Sequence, residues 1–340
     1  MLSLVLAALA QEAPPIVNGS TTRDYGAVVT LYAADNNGYG YNFCSGTLIA
    51  SNYVLTAAHC VAAMEENENY GYPNLMVVVG YDLNSSSGIT DYAQARSWAE
   101  HPRYNDTTLE NDIGIIELAD RITSVDFMAV NKDAISSRDM GDEYRYVGWG
   151  VTEDGGSDSS KKRYADMPAY DYDDYFLYAY DPTDDQNVCQ GDSGGAGFEL
   201  DTSGNVKELA AVNSFVTPQC EGGATGGTRV DKYISWIEGY TPVYGADEIG
   251  DSDTDTDTDT DTDTDSDTDT DTDTDTDTDT DTDADPPGPS TDIGEDPVRP
   301  DQVGEDYSSE SMFCATATPS SAAFGLLALA GAAAVRRRRS

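Results

Sequence analysis

An alternation of aspartate and threonine near the C-terminus limits which part of this chain can fold. Every odd position from 251 to 285 is aspartate, and nearly every even position is threonine. Like charges at this density repel one another and offer no apolar surface to bury, so the tract predicts an extended, solvated spacer. Weak calcium binding by the carboxylates and O-glycosylation of the threonines are further roles that the sequence leaves open. A large folded domain is therefore expected only before this tract.

The net charge excludes one class of function. The chain has 63 acidic and 18 basic residues and a net charge of −45. Phosphate binding requires clustered cations, so a nucleic-acid-binding protein is not expected. Hydrophobic residues make up 39% of the chain, below the usual share of roughly 45–50%. That deficit agrees with a chain that folds only in part.

The cysteine spacing indicates an oxidising compartment. The five cysteines divide into Cys44 with Cys60, Cys189 with Cys220, and one left over, Cys314. Paired cysteines are typical of secreted and surface proteins, although five buried free thiols would also fit the count. Because the chain has two histidines and no Cys-x-x-Cys pair, we expect no metal site and no cofactor.

Short runs of β-branched and aromatic residues, separated by Gly, Asn, Asp and Pro, dominate the first 240 residues. They predict strands at residues 26–32, 46–55, 75–79, 113–118, 144–149 and 209–215. Helical spacing of the apolar residues occurs only at residues 230–240. Many short strands with one terminal helix favour β-barrels or a β-sandwich.

One short motif among these strands points to nucleophilic catalysis. In the GDSGG run at residues 191–195, glycines place Ser193 on a tight turn among bare backbone amides, and such amides stabilise an oxyanion. Serine also needs a base and a group that orients the base. His59, in an AAHC run after an apolar strand, is the candidate base. Asp112, ahead of the apolar run IGIIEL, is the candidate orienting carboxylate, so the three segments together are strong evidence for a catalytic triad.

These motifs resemble those of the trypsin/chymotrypsin family of serine endopeptidases, over residues 16–240. The IVNG run at 16–19 resembles the family's mature N-terminus, AAHC at 57–60 its histidine motif, DIG at 112–114 its aspartate motif, and GDSGG its nucleophile motif. HPRY at 101–104 and GWG at 148–150 are further landmarks, and the first of them indicates a structural role for His101. The resemblance implies an all-β fold of two antiparallel six-stranded β-barrels with a C-terminal helix.

The family's triad transfers onto this chain as Ser193 for the nucleophile, His59 for the general base and Asp112 for the residue that orients it. The amides of Gly191 and Ser193 would form the oxyanion hole. The resemblance thus implies a serine endopeptidase that cleaves proteins or peptides through an acyl-enzyme and works as a monomer. A protease-like surface binding or adhesion protein without turnover is the alternative. A stalk protein in which the acidic repeat has the main role is a third reading.

The start of the protease domain departs from the family pattern. Family precursors are usually cut after Arg or Lys, which frees an amine that pairs with the aspartate before the nucleophile, here Asp192. In this chain Pro15 precedes Ile16, so a trypsin-like activator would not cut there. Either another activating protease removes residues 11–15 as a short propeptide, or activation differs. The pairing of Ile16 with Asp192 is therefore a hypothesis, and a buried Asp192 without a partner would be costly.

The resemblance also predicts which residues select the substrate. The residue six positions before the nucleophile forms the pocket floor in this family, and here it is Asn187, which offers no carboxylate to Arg or Lys. Ser214 and Val216 belong to the pocket wall, and Thr225 faces it. A valine and a threonine that narrow the pocket resemble elastase-type members, so we expect a preference for small or medium apolar P1 side chains such as Ala or Val.

Both ends of the chain carry marks of targeting segments. Residues 1–10 are apolar and end in small residues, which predicts a signal peptide without its usual basic start, with a buried strand as the alternative. After an acidic, Pro-rich linker at 241–310, residues 311–340 contain Cys314, an apolar segment near bilayer length and four arginines. This order resembles the C-terminal sorting tails of secreted and surface proteins of Gram-negative bacteria, especially myxobacteria, in which the cysteine lies near the processing point. A plain membrane anchor is the alternative, and both place the protein outside the cell or on its surface.

Overall fold

The computed structural model describes residues 16–249. The predicted signal peptide, the propeptide, the C-terminal tail and almost all of the linker lie outside the described residues. Within the described range, thirteen strands pair in antiparallel ladders, and twelve of them form two closed barrels. The predicted all-β fold of two six-stranded barrels is therefore confirmed.

The first barrel closes in the order β2-β3-β4-β7-β6-β5. Its strands are β2 (Val28–Ala34), β3 (Gly40–Ala50), β4 (Tyr53–Thr56), β5 (Asn74–Gly80), β6 (Ile89–Glu100) and β7 (Gly114–Leu118). Runs of branched residues in β5 and β7 bury side chains such as Val77 and Ile115 almost completely. Each such side chain contributes about 1.5–3 kcal/mol on burial, so an apolar interior holds this barrel together.

The second barrel follows the order β9-β10-β13-β12-β11-β8, and β8 pairs with β9 to close it. Its strands are β8 (Glu143–Gly148), β9 (Arg163–Tyr172), β10 (Phe176–Ala179), β11 (Ala196–Leu200), β12 (Val206–Thr217) and β13 (Ala224–Arg229). The two-residue strand β1 (Ser20–Thr21) pairs with β9 at the edge. The start of the described chain is thereby fastened to the second barrel, next to the residues that precede the nucleophile.

The helices correct one prediction. Helical structure was expected only at residues 230–240, yet the longest helix in the described range is α1 (Ala58–Asn69), directly after β4. Its sequence is rich in Ala and Glu, which favour helix, but its buried residues include Asn67 and show no clear apolar stripe. Residues 230–240 form a 3₁₀ turn (Val230–Lys232) and a short α2 (Ile234–Ile237), followed by α3 (Ala246–Ile249). None of the helices within residues 16–249 has the length and apolar character needed to cross a bilayer.

The predicted strands fall where strands occur, with two kinds of error. The run at 46–55 contains parts of two strands, because Ser51 and Asn52 form the turn between β3 and β4. Sequence analysis missed six strands altogether, namely β1, β6, β9, β10, β11 and β13. In β6 and β9, polar residues interrupt the apolar pattern because one face of each strand is partly open to solvent.

Candidate active site

His59 lies in the first turn of helix α1, just after strand β4 of the first barrel. The residue before this helix, Ala57, has an extended backbone and provides no side-chain cap. The first amides of a helix lack partners within the helix, and its N-terminus carries a partial positive charge. Asp112 gives one of these amides a partner, because its Oδ1 accepts a hydrogen bond from the His59 backbone amide at 2.9 Å. Its negative charge also lies next to the positive end of the helix. One carboxylate thus serves both the helix and the imidazole.

The carboxylate of Asp112 is fully buried and held by groups from both barrels. Its Oδ2 lies 2.8 Å from His59 Nδ1 and accepts a hydrogen bond from Ser214 Oγ at 2.5 Å. Thr228 Oγ1 donates to the Asp112 main-chain carbonyl at 2.8 Å. Ser214 lies on β12 and Thr228 on β13, so the second barrel orients an aspartate that the first barrel supplies. These bonds offset the cost of burying the charge.

The loop that carries Asp112 is shaped by two residues in the left-handed region. Leu109 has φ 58° and Asn111 has φ 59°. Asparagine adopts this conformation more readily than most residues. The Asn111 side chain also donates to the main-chain carbonyl of Arg103 at 2.8 Å, which closes the loop on itself. Asp112 therefore enters the cleft from a fixed turn.

The second histidine, His101, packs inside the protein. It is 5% exposed, and its ring meets the edges of the Tyr233 and Trp236 rings at centroid distances of 5.1 and 5.3 Å. Its backbone amide donates to the carbonyl of Ile113 at 2.9 Å. These contacts join the loop between β6 and β7 to helix α2, which agrees with the structural role predicted for His101.

The environment of His59 favours its charged form. Burial disfavours the imidazolium, but the negative charge of Asp112 and the hydrogen bond that its carboxylate accepts from His59 outweigh burial and raise the pKa of His59 above its ordinary value of 6.5. The side chain keeps 23% exposure, so it faces the cleft. A histidine in this environment can take a proton from a neighbour near neutral pH and hold it.

The turn around Ser193 requires glycine. Gly191 has φ 95° and Gly194 has φ 80°, a region that residues with side chains rarely adopt. A Cβ atom on Gly194 would lie 2.1 Å from Thr56 Oγ1 and 2.3 Å from the carbonyl oxygen of Ser45. Both of these atoms belong to the first barrel. The nucleophile turn therefore presses directly against the strands that lead to His59.

Ser45, on strand β3, fastens this turn, and sequence analysis did not identify it. Its amide donates to the Ser193 carbonyl at 2.8 Å, and its hydroxyl donates to the Gly191 carbonyl at 2.9 Å. The amide of Trp149 in turn donates to the Ser45 hydroxyl at 3.0 Å. A single serine within a strand carries no catalytic pattern. Its position next to Cys44 was the one signal that could have marked it.

The structure brings the three candidate triad residues to one cleft. The Ser193 carbonyl lies 3.5 Å from the sulfur of Cys60, the residue after His59. Across the described range, no hydrogen bond joins the Ser193 hydroxyl to His59, and such bonds are often long in enzymes without substrate. The amides of Gly191 and Ser193, which were predicted to form the oxyanion hole, donate to no acceptor within residues 16–249.

Two disulfides confirm the predicted cysteine pairs. Cys44–Cys60 joins β3 to α1 beside His59 and closes a separation of 16 residues. Cys189–Cys220 joins the nucleophile loop to the segment after β12 and closes a separation of 31 residues. Loops of this length stabilise the folded state by roughly 3 kcal/mol each through the entropy of the unfolded chain. The remaining cysteine, Cys314, lies outside the described residues.

Asp192 is buried beside the nucleophile. Its oxygens accept hydrogen bonds from the amides of Gly150 at 2.7 Å and Cys189 at 2.9 Å. Burial raises its pKa to about 6, against the lowering effect of these amides and of the more distant Arg163. No cation within the described residues forms an ion pair with this carboxylate. Ile16 is also fully buried, so both members of the hypothetical activation pair lie inside the protein.

The four residues predicted to form the pocket lie on connected segments. Val216 pairs with Thr225 across β12 and β13, and the Thr225 hydroxyl donates to the carbonyl of Phe215 at 3.3 Å. Asn187 is fully buried, and its side chain donates to the Cys220 carbonyl at 3.0 Å. Ser214, predicted only as pocket wall, also bonds Asp112.

A buried histidine–aspartate pair on one barrel, facing a serine turn on a second, is the arrangement of a serine-type hydrolase. The family comparison agrees, since residues 16–237 match the family model described as Trypsin. This chain belongs to the trypsin family, and it is a serine endopeptidase that acts on peptide or protein substrates.

Relatives and solved structures point the same way. Trypsin Blo t 3 of Blomia tropicalis is 28% identical over 247 residues, which cover 66% of this chain and 85% of the relative. Chymotrypsin-like elastase family member 1 of Macaca fascicularis is 31% identical over 225 residues, 59% of this chain and 80% of the relative. The structure of human heparin binding protein covers 67% of this chain and 99% of its own, with a TM-score of 0.54 and 22% identity, a likeness of fold alone.

Proposed function

We propose that Ser193 attacks the substrate carbonyl while His59 accepts its proton, with Asp112 holding the imidazole in position. His59 then donates that proton to the leaving amine, which departs and leaves an acyl group on Ser193. A water molecule, deprotonated by His59, releases the acyl group and restores the serine. The observation that carries this mechanism is the Asp112 carboxylate, which contacts both His59 Nδ1 and the His59 amide from a fully buried position.

The oxyanion hole in this proposal consists of the Gly191 and Ser193 amides. The positive φ of Gly191 and the hydrogen bond from Ser45 to the Gly191 carbonyl fix the direction of this backbone. Donors held in advance cost no reorganisation when negative charge develops on the substrate oxygen, and each is worth on the order of 10²–10³ in rate.

We further propose a P1 preference for small or medium apolar side chains. The support is Val216 and Thr225, which pair on the neighbouring strands β12 and β13, together with Asn187, which is buried and carries no charge. Profiling a peptide library that varies P1 measures this preference. Dominant cleavage after Lys or Arg would contradict it.

The enzyme is proposed to act outside the cell or on its surface. Its two disulfides are typical of an oxidising compartment. Residues 1–10 and 311–340 would direct and anchor it, Cys314 would mark the processing point, and residues 241–310 would serve as the linker. Deleting residues 251–340 should release the protease with its peptide hydrolysis unchanged. Loss of activity in this deletion would instead favour a working role for the acidic repeat.

Activation is proposed to occur by removal of residues up to Pro15, after which the Ile16 amine pairs with Asp192. The support is the burial of both residues and the lack of another ion-pair partner for Asp192 within the described range. N-terminal sequencing of the active enzyme tests the proposal. A start other than Ile16 would rule the pairing out.

Labelling with a fluorophosphonate probe tests the proposed catalytic function. Processed wild-type protein should be labelled, as should the variant Ser203→Ala, which removes an exposed hydroxyl from the turn after β11. Ser193→Ala should not be labelled, and its kcat should fall by about 10⁵-fold or more. A folded, processed protein that neither reacts with the probe nor cleaves peptides would be a binding protein with a protease fold.

A further inference from the structure

A buried amide beside the nucleophile turn has one atom without a partner. Asn213 lies on β12 directly before Ser214 and is 1% exposed. Its Nδ2 donates to the main-chain carbonyl of Asp192 at 3.2 Å. Its Oδ1 has no hydrogen-bond partner among the described residues. An acceptor buried without a partner destabilises a folded protein, so this oxygen requires an explanation.

The amide cannot be reversed to remove the mismatch. A main-chain carbonyl only accepts hydrogen bonds, so a reversed Asn213 would place its oxygen against the oxygen of Asp192. The backbone is held as well, because the Asn213 amide donates to the Gly195 carbonyl at 2.9 Å and its carbonyl accepts from the Gly194 amide at 2.7 Å. The position of the Oδ1 atom is therefore set by the nucleophile turn itself.

Strand register places Asn213 close to the residues predicted to form the pocket. Asn213 pairs with Gly227 on the same ladder of β12 and β13 in which Val216 pairs with Thr225. A Cβ atom on Gly227 would lie 2.9 Å from the Cβ of Ala211, so this position is closed to a larger residue. On the other side, a Cβ atom on Gly195 would lie 3.1 Å from Asn213 Nδ2. The amide thus lies between the turn that carries the nucleophile and the walls that select the substrate.

The other polar groups of the pocket already have partners. Asn187 Oδ1 accepts from the Val188 amide at 3.0 Å, and Asn187 Nδ2 donates to the Cys220 carbonyl. The Thr225 hydroxyl donates to the Phe215 carbonyl. Asn213 Oδ1 is the acceptor of this set that has no partner.

We propose that Asn213 determines P1 specificity, because its Oδ1 accepts a hydrogen bond from a hydroxyl on the substrate side chain. The inference rests on the proposed function and refines its substrate class. Val216 and Thr225 set the size of the side chain, and Asn213 adds a preference for one that donates. Threonine has nearly the shape of valine and serine that of 2-aminobutyrate, so the enzyme favours Thr over Val and Ser over 2-aminobutyrate at P1.

The expected preference for Thr over Val is large because one hydrogen bond gives a partner to two groups, the substrate hydroxyl and Asn213 Oδ1. A hydroxyl that enters a pocket with apolar walls loses its bonds to water, and a protein acceptor has to replace them. When Thr binds, both its hydroxyl and Asn213 Oδ1 gain a partner, whereas Val leaves the oxygen unpaired. The ratio of kcat/KM for Thr over Val is expected to be about tenfold.

The test uses the full chain in its naturally processed form and matched peptides that differ only at P1. The kcat/KM values for Thr, Val, Ser, 2-aminobutyrate and Ala are measured for the wild type and for Asn213→Val and Thr225→Val. In Asn213→Val the Thr/Val ratio should fall to about one or below, while Thr225→Val should keep the wild-type ratio. A ratio within one variant does not depend on how much of that variant is folded.

Three results would overturn the inference. The first is a wild-type enzyme that cleaves after Ala but shows no preference for Thr over Val or for Ser over 2-aminobutyrate. This result can be obtained without any variant, and it would leave the proposed protease function intact. The second is loss of the preference in Thr225→Val but not in Asn213→Val. The third is failure of Ser193 to react with the fluorophosphonate probe, which removes the proposed function and this inference together.

Discussion

The two barrels bury different kinds of residue. Among residues 16–249, the first barrel and its loops bury one Asp, Glu, Lys or Arg side chain, that of Asp112. The second barrel and its loops bury six, namely Lys162, Arg163, Asp181, Asp192, Glu208 and Arg229. The first barrel is thus an apolar frame whose one buried carboxylate serves the candidate active site. The second is a scaffold with several charges in its interior.

The buried charges differ in how well they are paired. Asp112 has His59, the His59 amide and Ser214 as partners. By contrast, Lys162 Nζ donates to a neutral carbonyl, that of Tyr25, at 2.9 Å. Partly compensated charges cost free energy in the folded state, whereas a well-bonded one costs little. The comparison therefore predicts that removing the buried charge of the first barrel acts on catalysis, whereas removing a poorly paired buried charge of the second acts on stability.

Among changes to the buried charges, Asp112→Asn has the largest expected effect. The amide keeps the shape of the side chain but holds His59 in the wrong tautomer, and kcat should fall by about 10⁴-fold. Asp201→Asn, which alters an exposed carboxylate in the turn after β11, is the control and should leave kcat unchanged. If kcat fell by less than tenfold in a folded Asp112→Asn protein, the catalytic role assigned to Asp112 would be wrong.

The dependence of kcat/KM on pH should show the effect of Asp112 on His59. The base must be neutral to accept a proton, and Asp112 raises the pKa of His59 above 6.5. Below that pKa the value of kcat/KM should fall by about tenfold per pH unit. In Asp112→Asn the acid limb of the residual activity should move to lower pH. An unchanged limb would show that another group controls the profile.

Asp192→Asn tests the second barrel in a chain that keeps the residues before Ile16. The folded-state pKa of Asp192 is about 6, above the ordinary 3.8, so ionising it destabilises the folded state. The resulting loss in the free energy of unfolding is absent below pH 4, grows between pH 4 and 6, and reaches about 3 kcal/mol above that range.

Urea unfolding of both proteins from pH 4 to 8 measures this difference. The wild type should lose stability relative to Asp192→Asn as the pH rises. In the chain that starts at Ile16, pairing with the free amine should abolish or reverse that loss. If the free energy of unfolding changed with pH in the same way for the unprocessed wild type and Asp192→Asn, Asp192 could not be an unpaired buried charge.

Lys162→Met should produce the smallest effect. Burial lowers the pKa of Lys162 to about 8, so below pH 8 its charge destabilises the folded state. The methionine variant should be more stable than the wild type at pH 7 by about 1–2 kcal/mol, and its advantage should shrink between pH 8 and 10.5 as the lysine loses its proton in the folded state first. Lys161→Met, at a partly exposed neighbour, should show no such pH dependence.

Short motifs could be recognised without a structure, and long-range partners could not. The two disulfides follow from cysteine spacing, and an all-β fold follows from short branched runs between turn residues, whereas the two barrels follow from the family resemblance. Helix α1 was missed because its buried side includes small and polar residues such as Ala58 and Asn67. Strand β6 was missed because most of its residues are partly or fully exposed.

The hydrogen-bond partners of the site depend on packing. Ser214 and Thr228 meet Asp112 across separations of 102 and 116 residues. Neither a serine nor a threonine in a β-strand signals such a role. Ser45 and Asn213 were invisible for the same reason, since their importance lies in which main-chain carbonyl each one faces.

Local pattern was enough to establish the chemistry of this chain, because a nucleophile, a base and a glycine turn are properties of a few neighbouring residues. Tertiary structure alone decided that one carboxylate would both cap a helix and orient its histidine, and that one asparagine oxygen would be buried unpaired beside the pocket. Those outcomes arise where two barrels press together, and the free energy of each buried polar atom depends on which distant atom it meets.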